Sequence, residues 1–257
     1  MLGMKITALA PLLLLALAGT AGAKTDPEAI VRRSLERMVF RSQGAEMTMT
    51  MTLRNKRGET RTRTLFARTR KADGLTRTLV RFVAPSDVAG TAFLFVEHRD
   101  RDDDQHMFLP ALKVVKRIVG KQKQSKFMGS DFSYADLEWR DLEEARHEMK
   151  PEQKVGRDPC HVIDAHPKKK EAYDYTRSWI RKRDDVPLRI QFFDRRKQLL
   201  KVLFVKQVKK VGKSLMVTQL KMSNKQTGHS TFISIDKIKL RDDLPADAFT
   251  VRALKQR

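Results

Sequence analysis

The chain has 257 residues and a formal net charge of +22, because 53 lysines and arginines stand against 31 aspartates and glutamates. A charge of this size describes solubility and partners rather than fold, and it argues against a cationic partner. The only cysteine is Cys160, so the chain cannot form an intrachain disulfide.

The first 23 residues have the pattern of a secretory signal peptide. Lys5 supplies a positive start, residues 9–18 form an apolar core, and residues 21–23 make a small-residue cleavage site. The apolar run is shorter than the roughly 20 residues of a spanning helix, which argues against a membrane anchor. We therefore predict cleavage near Ala23, a periplasmic location without nucleic acid as a partner, and a single domain over residues 24–257.

A short helix is predicted at the start of the mature chain. Asp26 can cap it, Pro27 suits the first helical position, and Glu28 favours the positive end of the helix dipole. A stripe at helical spacing follows and indicates one face packed on a sheet. The stripe consists of Ile30, Val31, Ser34, Leu35 and Met38.

The stretch "AEMTMTMTLRN" at residues 45–55 predicts a strand with an unusual inner face. Side chains alternate across a strand, so methionines and a leucine lie on one face and threonines on the other. Methionine is flexible, adapts to irregular contents, and is common on promiscuous binding surfaces. The apolar face is therefore a candidate for binding ligands of variable shape.

Alternating patterns separated by short turns continue through most of the chain. We predict about eleven strands in one large curved antiparallel sheet, mainly β with some α, covered by helices. The segment at residues 121–139 breaks the rhythm and predicts a glycine turn followed by a short helix. The clearest further strands cover residues 59–69, 75–85, 90–98, 144–150, 160–166, 176–183, 187–194, 198–210, 213–224 and 229–240.

No motif in the sequence argues for catalysis. The 6 histidines do not have the spacing of a zinc protease, and there is no GxSxG or SxxK motif. His161 and His166 flank a turn near Cys160, but scattered donors seldom make a closed metal site. We predict a protein that is not an enzyme and that has no cofactor and no bound metal.

The apolar strand faces are candidates to line a hydrophobic cavity. Their own side chains could fill such an interior, or a lipid tail could occupy it. Burial of a lipid tail is worth about 0.8 kcal/mol per methylene group, so affinity needs no specific polar contact. The candidate lining residues are Met47, Met49, Met51, Leu53, Val80, Phe82, Phe93, Phe95, Leu188, Ile190, Phe192, Val202 and Phe204.

Several blocks resemble the exported LolA-like family of outer-membrane lipoprotein-sorting proteins. They are "PSDVAGTAFLFVE" at 85–97, "FLPALKVVKRI" at 108–118 and "SKFMGSDFSYADL" at 125–137, with "NKQTGHSTFISIDKIKL" and "LPADAFT" near the C-terminus. The most specific block matches the family's central motif. It comprises Phe127, Met128, Gly129, Ser130, Asp131, Phe132, Ser133 and Tyr134.

This resemblance implies an incomplete antiparallel barrel with helices that close its inner side over a cavity for acyl chains. It also implies an inner-membrane transporter of the RND/MMPL type as partner. The opening helix and the segment at 121–139 would then be lids. The lid candidates are Ile30, Leu35, Met38, Phe127, Met128, Phe132 and Tyr134.

Three hypotheses follow from the sequence. The first is a monomeric periplasmic carrier for lipids or lipoproteins, steered by a basic outer face toward anionic membranes or an acidic partner. The second is an accessory or envelope-stress sensor that docks on an RND-type transporter and moves nothing, and the third is a hydrolase or metal protein. The basic outer face would comprise Arg61, Arg63, Arg77, Arg81, Arg181 and Arg183.

Overall fold

One antiparallel sheet dominates the computed structural model, which describes residues 26–37, 44–138, 145–169, 172–212 and 214–256. Its strands are β1 Ala45–Arg54, β2 Thr60–Ala72, β3 Leu75–Ala84, β4 Ala92–Val96, β5 Asp104–Leu109, β6 Val114–Arg117, β7 Ala145–Val155, β8 Asp158–Pro167, β9 Tyr175–Arg181, β10 Pro187–Phe193, β11 Leu199–Val211, β12 Ser214–Asn224 and β13 Ser230–Leu240.

The strands follow each other in space almost as they do in sequence. The order across the sheet is β6-β5-β4-β3-β2-β1-β13-β12-β11-β10-β9-β8-β7. Two meanders therefore meet where the first and last strands pair, from Ala45 opposite Leu240 to Arg54 opposite Ser230. Strands β6 and β7 form the two ends of this order, so the sheet is open.

The strand count corrects the expectation from sequence. The described residues form 13 strands rather than about eleven. The short edge strand β6, Val114–Arg117, has only 4 residues and most of them are exposed. The alternation of buried and solvated side chains is therefore weak in β6, and this strand is difficult to recognise from the sequence.

One face of the sheet forms the main hydrophobic core. Side chains from β1 to β5 and from β10 to β13 meet there in a single cluster, so the sheet curves around this side. We call it the inner face and the other side the outer face. The methionines of β1 lie near its centre because β1 is next to β13, the middle strand of the sheet order.

The inner face is covered by one short α-helix and by a segment that has 3₁₀ turns but no α-helix. Helix α1, Pro27–Leu35, begins as the sequence predicts, with the Asp26 carboxylate accepting a hydrogen bond from the Glu28 amide at 2.9 Å. The segment at 120–138 contains only 3₁₀ turns, the last at Ala135–Leu137. The expectation that helices cover the sheet is therefore wrong for this segment.

The C-terminal tail packs on the outer face. Leu244, Phe249 and Leu254 are buried against Leu79 and Leu94, which alternate with inner-face residues on β3 and β4. In the part of the chain that the structure describes, no helix has the length and apolar character needed to cross a bilayer.

Candidate functional site

The centre of the candidate site is the row of apolar side chains on β1. Met47, Met49, Met51 and Leu53 are all buried on the inner face. The intervening threonines are only partly buried, in agreement with the alternation read from the sequence. Directly paired residues share a face of the sheet, so β2 and β13 extend the same apolar surface on either side.

A small apolar cavity lies between this row and the segment at 120–138, which we call the cover. Its volume is about 50 Å³, and Thr78 contributes the only polar side chain to its lining. An engineered apolar cavity of about 150 Å³ holds a molecule as small as benzene, so this space is too small for an acyl chain with the cover in this position. The lining residues are Met49, Met51, Leu65, Thr78, Val80, Phe95, Phe127, Leu137 and Ile233.

Aromatic rings of the cover fill the space beside this cavity. The Phe127 ring lies 4.9 Å from the Phe93 ring, 5.9 Å from the Phe82 ring and 5.7 Å from the Tyr134 ring, measured between centroids. Edge-to-face and tilted pairs at these distances are attractive beyond simple burial. The cover therefore contributes its own apolar groups to the core in the place where a ligand would sit.

Buried polar groups anchor the cover to β11 of the sheet. The Lys201 ammonium on β11 forms an ion pair with the Asp136 carboxylate and donates to the Asp131 carbonyl at 3.0 Å. The Tyr173 hydroxyl donates to the other Asp136 oxygen at 2.8 Å. Lys201 and Asp136 are almost fully buried, so each charge depends on the other for compensation.

A second anchor joins the cover to β13. The Thr231 hydroxyl donates to Asp131 Oδ2 at 2.7 Å, and His229 Nδ1 lies 2.7 Å from the same oxygen. The Asp131 amide donates to the Thr231 hydroxyl oxygen at 2.9 Å. Asp131 Oδ1 is buried and has no hydrogen-bond donor among the described residues. This anchor is therefore incompletely satisfied.

The tip of the cover is held by an arginine and by a left-handed turn. Arg63 on β2 donates a hydrogen bond to the Met128 carbonyl, and partial burial lowers the pKa of its guanidinium. Met128 has φ +49° and Gly129 has φ +72°. Methionine rarely adopts this conformation, so the turn depends on the contacts around it.

Most of the predicted cavity residues lie together. The main cluster contains all of those predicted on β1, β3 and β4, together with Phe192 and, partly buried, Ile190. Leu188 packs elsewhere, against Cys160, Val162 and Trp179. Whether the inner-face residues bind lipid stays a prediction.

Val202 and Phe204 lie on the outer face, and this corrects the face assigned to β11. Leu203, between them in sequence, belongs to the inner cluster. The stretch is apolar on both faces, so alternation alone could not decide which side is inner. The ammonium of Lys206 lies 5.4 Å from the centre of the Phe204 ring on the outer side.

The predicted lid residues divide between two places. Phe127, Phe132 and Tyr134 are buried in the inner cluster with Met128 partly buried beside them. Ile30 packs instead with Ile163 and Ile180, toward the β7 end of the sheet. The remaining two lid candidates are Leu35, which is the last residue of α1 and is partly buried, and Met38, which lies outside the described residues.

Several arginines of the predicted basic outer face have internal partners. Arg63 contacts the cover, Arg81 donates to the carbonyls of Ala253 and Leu254 in the C-terminal tail, and Arg181 forms ion pairs with two aspartates. They are therefore not a free basic surface.

The role of Lys201 in anchoring the cover was missed by the sequence analysis, because a lysine in an apolar strand gives no sign of its distant carboxylate partner.

The acidic stretch before β5 does not present a free metal site. Asp104 is flanked by Arg101, Arg117 and His98, and these hydrogen bonds hold the pKa of its carboxyl well below its usual range. Among the residues that the structure describes, no group of His, Cys, Asp and Glu converges as a set of metal ligands would.

The architecture defines an open antiparallel sheet with a covered apolar inner face, and known proteins share it. A protein-family model described only as an uncharacterized protein matches residues 74–256. The structure of an outer membrane lipoprotein-sorting protein domain from Vibrio parahaemolyticus is 31% identical, with a TM-score of 0.83 over 90% of this chain and 98% of the other. The chain belongs to the LolA-like family of outer-membrane lipoprotein-sorting proteins.

Two further structures are similar. A DUF1329 family protein from Desulfovibrio piger is 28% identical, with a TM-score of 0.83 over 90% of this chain and all of the other. The LolA superfamily protein NE2245 from Nitrosomonas europaea is 14% identical with a TM-score of 0.72 over 90% of this chain, a likeness of fold alone. No curated protein matches the chain.

Proposed function

We propose that this protein is a periplasmic carrier that holds the acyl chains of a lipid or lipoprotein against its inner face and delivers them to the outer membrane. The observation that carries the proposal is the apolar inner face, with buried methionines of β1 near its centre beneath a cover that has 3₁₀ turns but no α-helix. Methionine suits such a role because its unbranched chain adapts to ligands of different shape.

The closed cavity implies that binding requires the cover to move. At about 50 Å³ the space cannot hold an acyl chain, and Phe127 and Leu137 of the cover line it directly. We infer that an entering chain replaces these side chains against Val80 and Phe95. The ligand then covers the apolar surface that the cover leaves exposed, at about 0.8 kcal/mol per methylene group.

The anchors of the cover are suited to such an exchange. The polar groups of Asp131, Asp136 and Lys201 are buried when the cover is closed, and water can hydrogen-bond to them when it opens. A hydrogen bond exchanged for water has a net cost of only about 1 kcal/mol, far below its strength in an apolar medium. A cover held by polar contacts can therefore open without unfolding the sheet.

The test is lipid retention and probe binding by the exported protein. Native mass spectrometry of the protein from a membrane-rich preparation should show a bound lipid, and a fluorescent fatty acid should bind in solution. Met49→Trp fills the cavity and should reduce probe affinity at least about tenfold, which corresponds to about 1.4 kcal/mol. Hydrogen exchange at 125–137 should increase when the probe binds.

The matched control is Met149→Trp, at a methionine that packs with Ile30 in a different cluster. It should leave probe affinity unchanged. A ligand-free mass together with no probe binding would contradict the carrier proposal and would favour the second candidate. The nearly filled interior is also what a docking module without cargo would have.

That second candidate is a non-transporting accessory or envelope-stress sensor that docks on an RND-type transporter. Met49→Trp separates it from a carrier, because a docking module should keep its activity when the cavity is filled. The inner-membrane transporter of the RND/MMPL type is a proposed partner under either candidate. Co-purification of the two proteins from membranes in mild detergent tests that pairing.

A further inference from the structure

The turns of the sheet collect at two ends that differ in charge. Successive strands run antiparallel, so the turns alternate between the ends of the strands. The turns β1–β2, β3–β4, β5–β6, β8–β9, β10–β11 and β12–β13 share one end, which we call the basic end. Direct contacts confirm the grouping: the Gln226 amide donates to Asp194 at 2.9 Å, and Gly228 lies against Lys56.

Cations outnumber carboxylates at the basic end. Two of the four acidic residues described in these turns are already engaged, since Glu59 pairs with Arg57 and Asp194 accepts hydrogen bonds from backbone amides of its own turn. Among the described residues, no carboxylate lies within ion-pairing distance of Lys113 or Lys197. The other cations described in these turns are Lys56, Lys168, Lys169, Arg195, Arg196 and Lys225.

The opposite end has a mixed composition. Its β4–β5 connection carries aspartates as well as arginines, and Arg101 there pairs with Asp104. Its β9–β10 turn holds Arg183, which pairs with Asp158 and Asp184. The high charge of the chain is thus unevenly distributed between the two ends of the sheet.

An exposed apolar tip projects from the basic end. Leu112 in the β5–β6 turn is 62% exposed, the most of any large hydrophobic residue among those described. Val114 follows at 39%, and Val83 at the same end of β3 is 48% exposed. An exposed leucine beside lysines is typical of a surface that lies on a lipid bilayer, with the apolar group among the acyl chains and the cations at the head groups.

The tip of the cover lies at this end as well. Arg63, which binds the Met128 carbonyl, is near the start of β2, and Thr231, which binds Asp131, is near the start of β13. Both positions are close to the basic end in the register of the sheet. A surface that contacts the basic end would therefore lie beside the part of the cover that is held by polar contacts.

We propose that the basic end docks on a membrane surface with anionic head groups, and that Leu112 enters the head-group layer. The docking surface is distinct from the inner face, so vesicle binding does not depend on occupancy of the cavity. Its use in loading or unloading an acyl chain does rest on the proposed carrier function. The proposal commits to a lipid surface because the exposed Leu112, Val114 and Val83 stand beside the cations, and a bilayer accommodates apolar groups and cations at adjacent depths.

The test is co-sedimentation with vesicles of phosphatidylcholine and phosphatidylglycerol, compared with vesicles of phosphatidylcholine alone. The wild-type protein should bind only the anionic vesicles, and added salt should weaken the binding. The triple variant R195Q/R196Q/K197Q should lose affinity by about fivefold for each cation removed, because each cation near an anionic surface contributes about that factor.

The matched control is K209Q/K210Q/K239Q, which removes the same charge from exposed lysines toward the opposite end. It should bind nearly as well as the wild type. Leu112→Asn should lower affinity roughly tenfold by removing a partly inserted apolar group, whereas Leu240→Asn, at an exposed leucine of the opposite end, should not.

Equal loss in both triple variants would overturn the proposal, because binding would then follow net charge rather than location. Absence of binding to the anionic vesicles would also overturn it and would leave an acidic protein surface as the partner of the basic end. Fatty-acid probe binding by Leu112→Asn and vesicle binding by Met49→Trp should both persist. Vesicle binding without probe binding in the wild type would therefore refute the carrier function alone.

Discussion

Two segments cover the inner face, and they are held in different ways. Helix α1 lies over β7 and β9 with Ile30 buried between Ile163 and Ile180, and a half-exposed ion pair from Arg33 to Asp185 adds to this apolar attachment. The segment at 120–138 adds rings to the core but is anchored by buried polar groups, chiefly through Lys201. The difference is that the polar contact of α1 is half exposed, whereas the segment at 120–138 is fastened by a buried ion pair and buried hydrogen bonds as well as by its rings.

This difference indicates which cover can move. Lifting an apolar helix exposes hydrophobic surface to water at its full cost unless another apolar group replaces it. Lifting the polar-anchored segment releases groups that water can solvate, and in the proposed carrier an acyl chain would replace its rings. The cover at 120–138 is therefore the one suited to opening, and α1 is suited to a permanent place.

The largest expected effect is that of Lys201→Met on the polar-anchored cover. Removal of the ammonium leaves the Asp136 carboxylate buried without its counter-charge, which costs about 3–5 kcal/mol. The measurement is the free energy of unfolding in denaturant, together with hydrogen exchange at 125–137. Exchange should accelerate there more than in α1.

The double variant Lys201→Met with Asp136→Asn is the control. An uncharged amide can still bond to Tyr173 and Ser133, so much of the lost stability should return. A double variant no more stable than Lys201→Met alone would show that the charge at Asp136 is not what Lys201 compensates.

A smaller effect is expected from Ile30→Ala, which weakens the apolar attachment of α1. Loss of the buried side chain should cost about 2–3 kcal/mol, and Ile30→Val about 1 kcal/mol. Hydrogen exchange should rise in α1 and remain unchanged at 125–137. A rise of similar size in both segments would mean that the two covers open together, and the distinction between them would fail.

The smallest expected effect is a pH dependence of folding stability that arises at His147, near the N-terminal end of α1. Burial lowers the pKa of His147 below its usual value, although the nearby Glu28 and Asp26 carboxylates oppose this shift. The unfolded chain therefore binds a proton more readily than the folded chain, and stability falls as pH decreases through the unfolded pKa near 6.5. His147→Gln should make unfolding midpoints less sensitive to pH over that window.

Two other histidines share the direction of this shift, so the variant should remove only part of the pH dependence. Burial also lowers the pKa of His106 and of His161. An unchanged pH profile in His147→Gln would assign the dependence to those two positions instead. Lys168, which also lowers the pKa of His147, is unchanged in the variant and keeps its contribution to the local charge.

Local pattern was a good guide where a strand has one apolar and one polar face. The alternation of β1 places Met47, Met49 and Met51 on the inner face, as observed. On β11 both faces are apolar, and the face assigned to Val202 and Phe204 was wrong. At Leu188 the pairing register between β9 and β10 shifts, and a strict period of two does not anticipate such a shift.

The sequence by itself determined most of the strands, the helix start at Asp26 and the family, because these depend on residues that are close in the chain or on a contiguous motif. Only the tertiary structure decided that Lys201 meets Asp136, 65 residues away, and that the turn cations collect at one end of the sheet. Strand order and curvature set those distances, and no local pattern encodes them. The same packing left the interior nearly full, a result that depends on how side chains from many strands interlock.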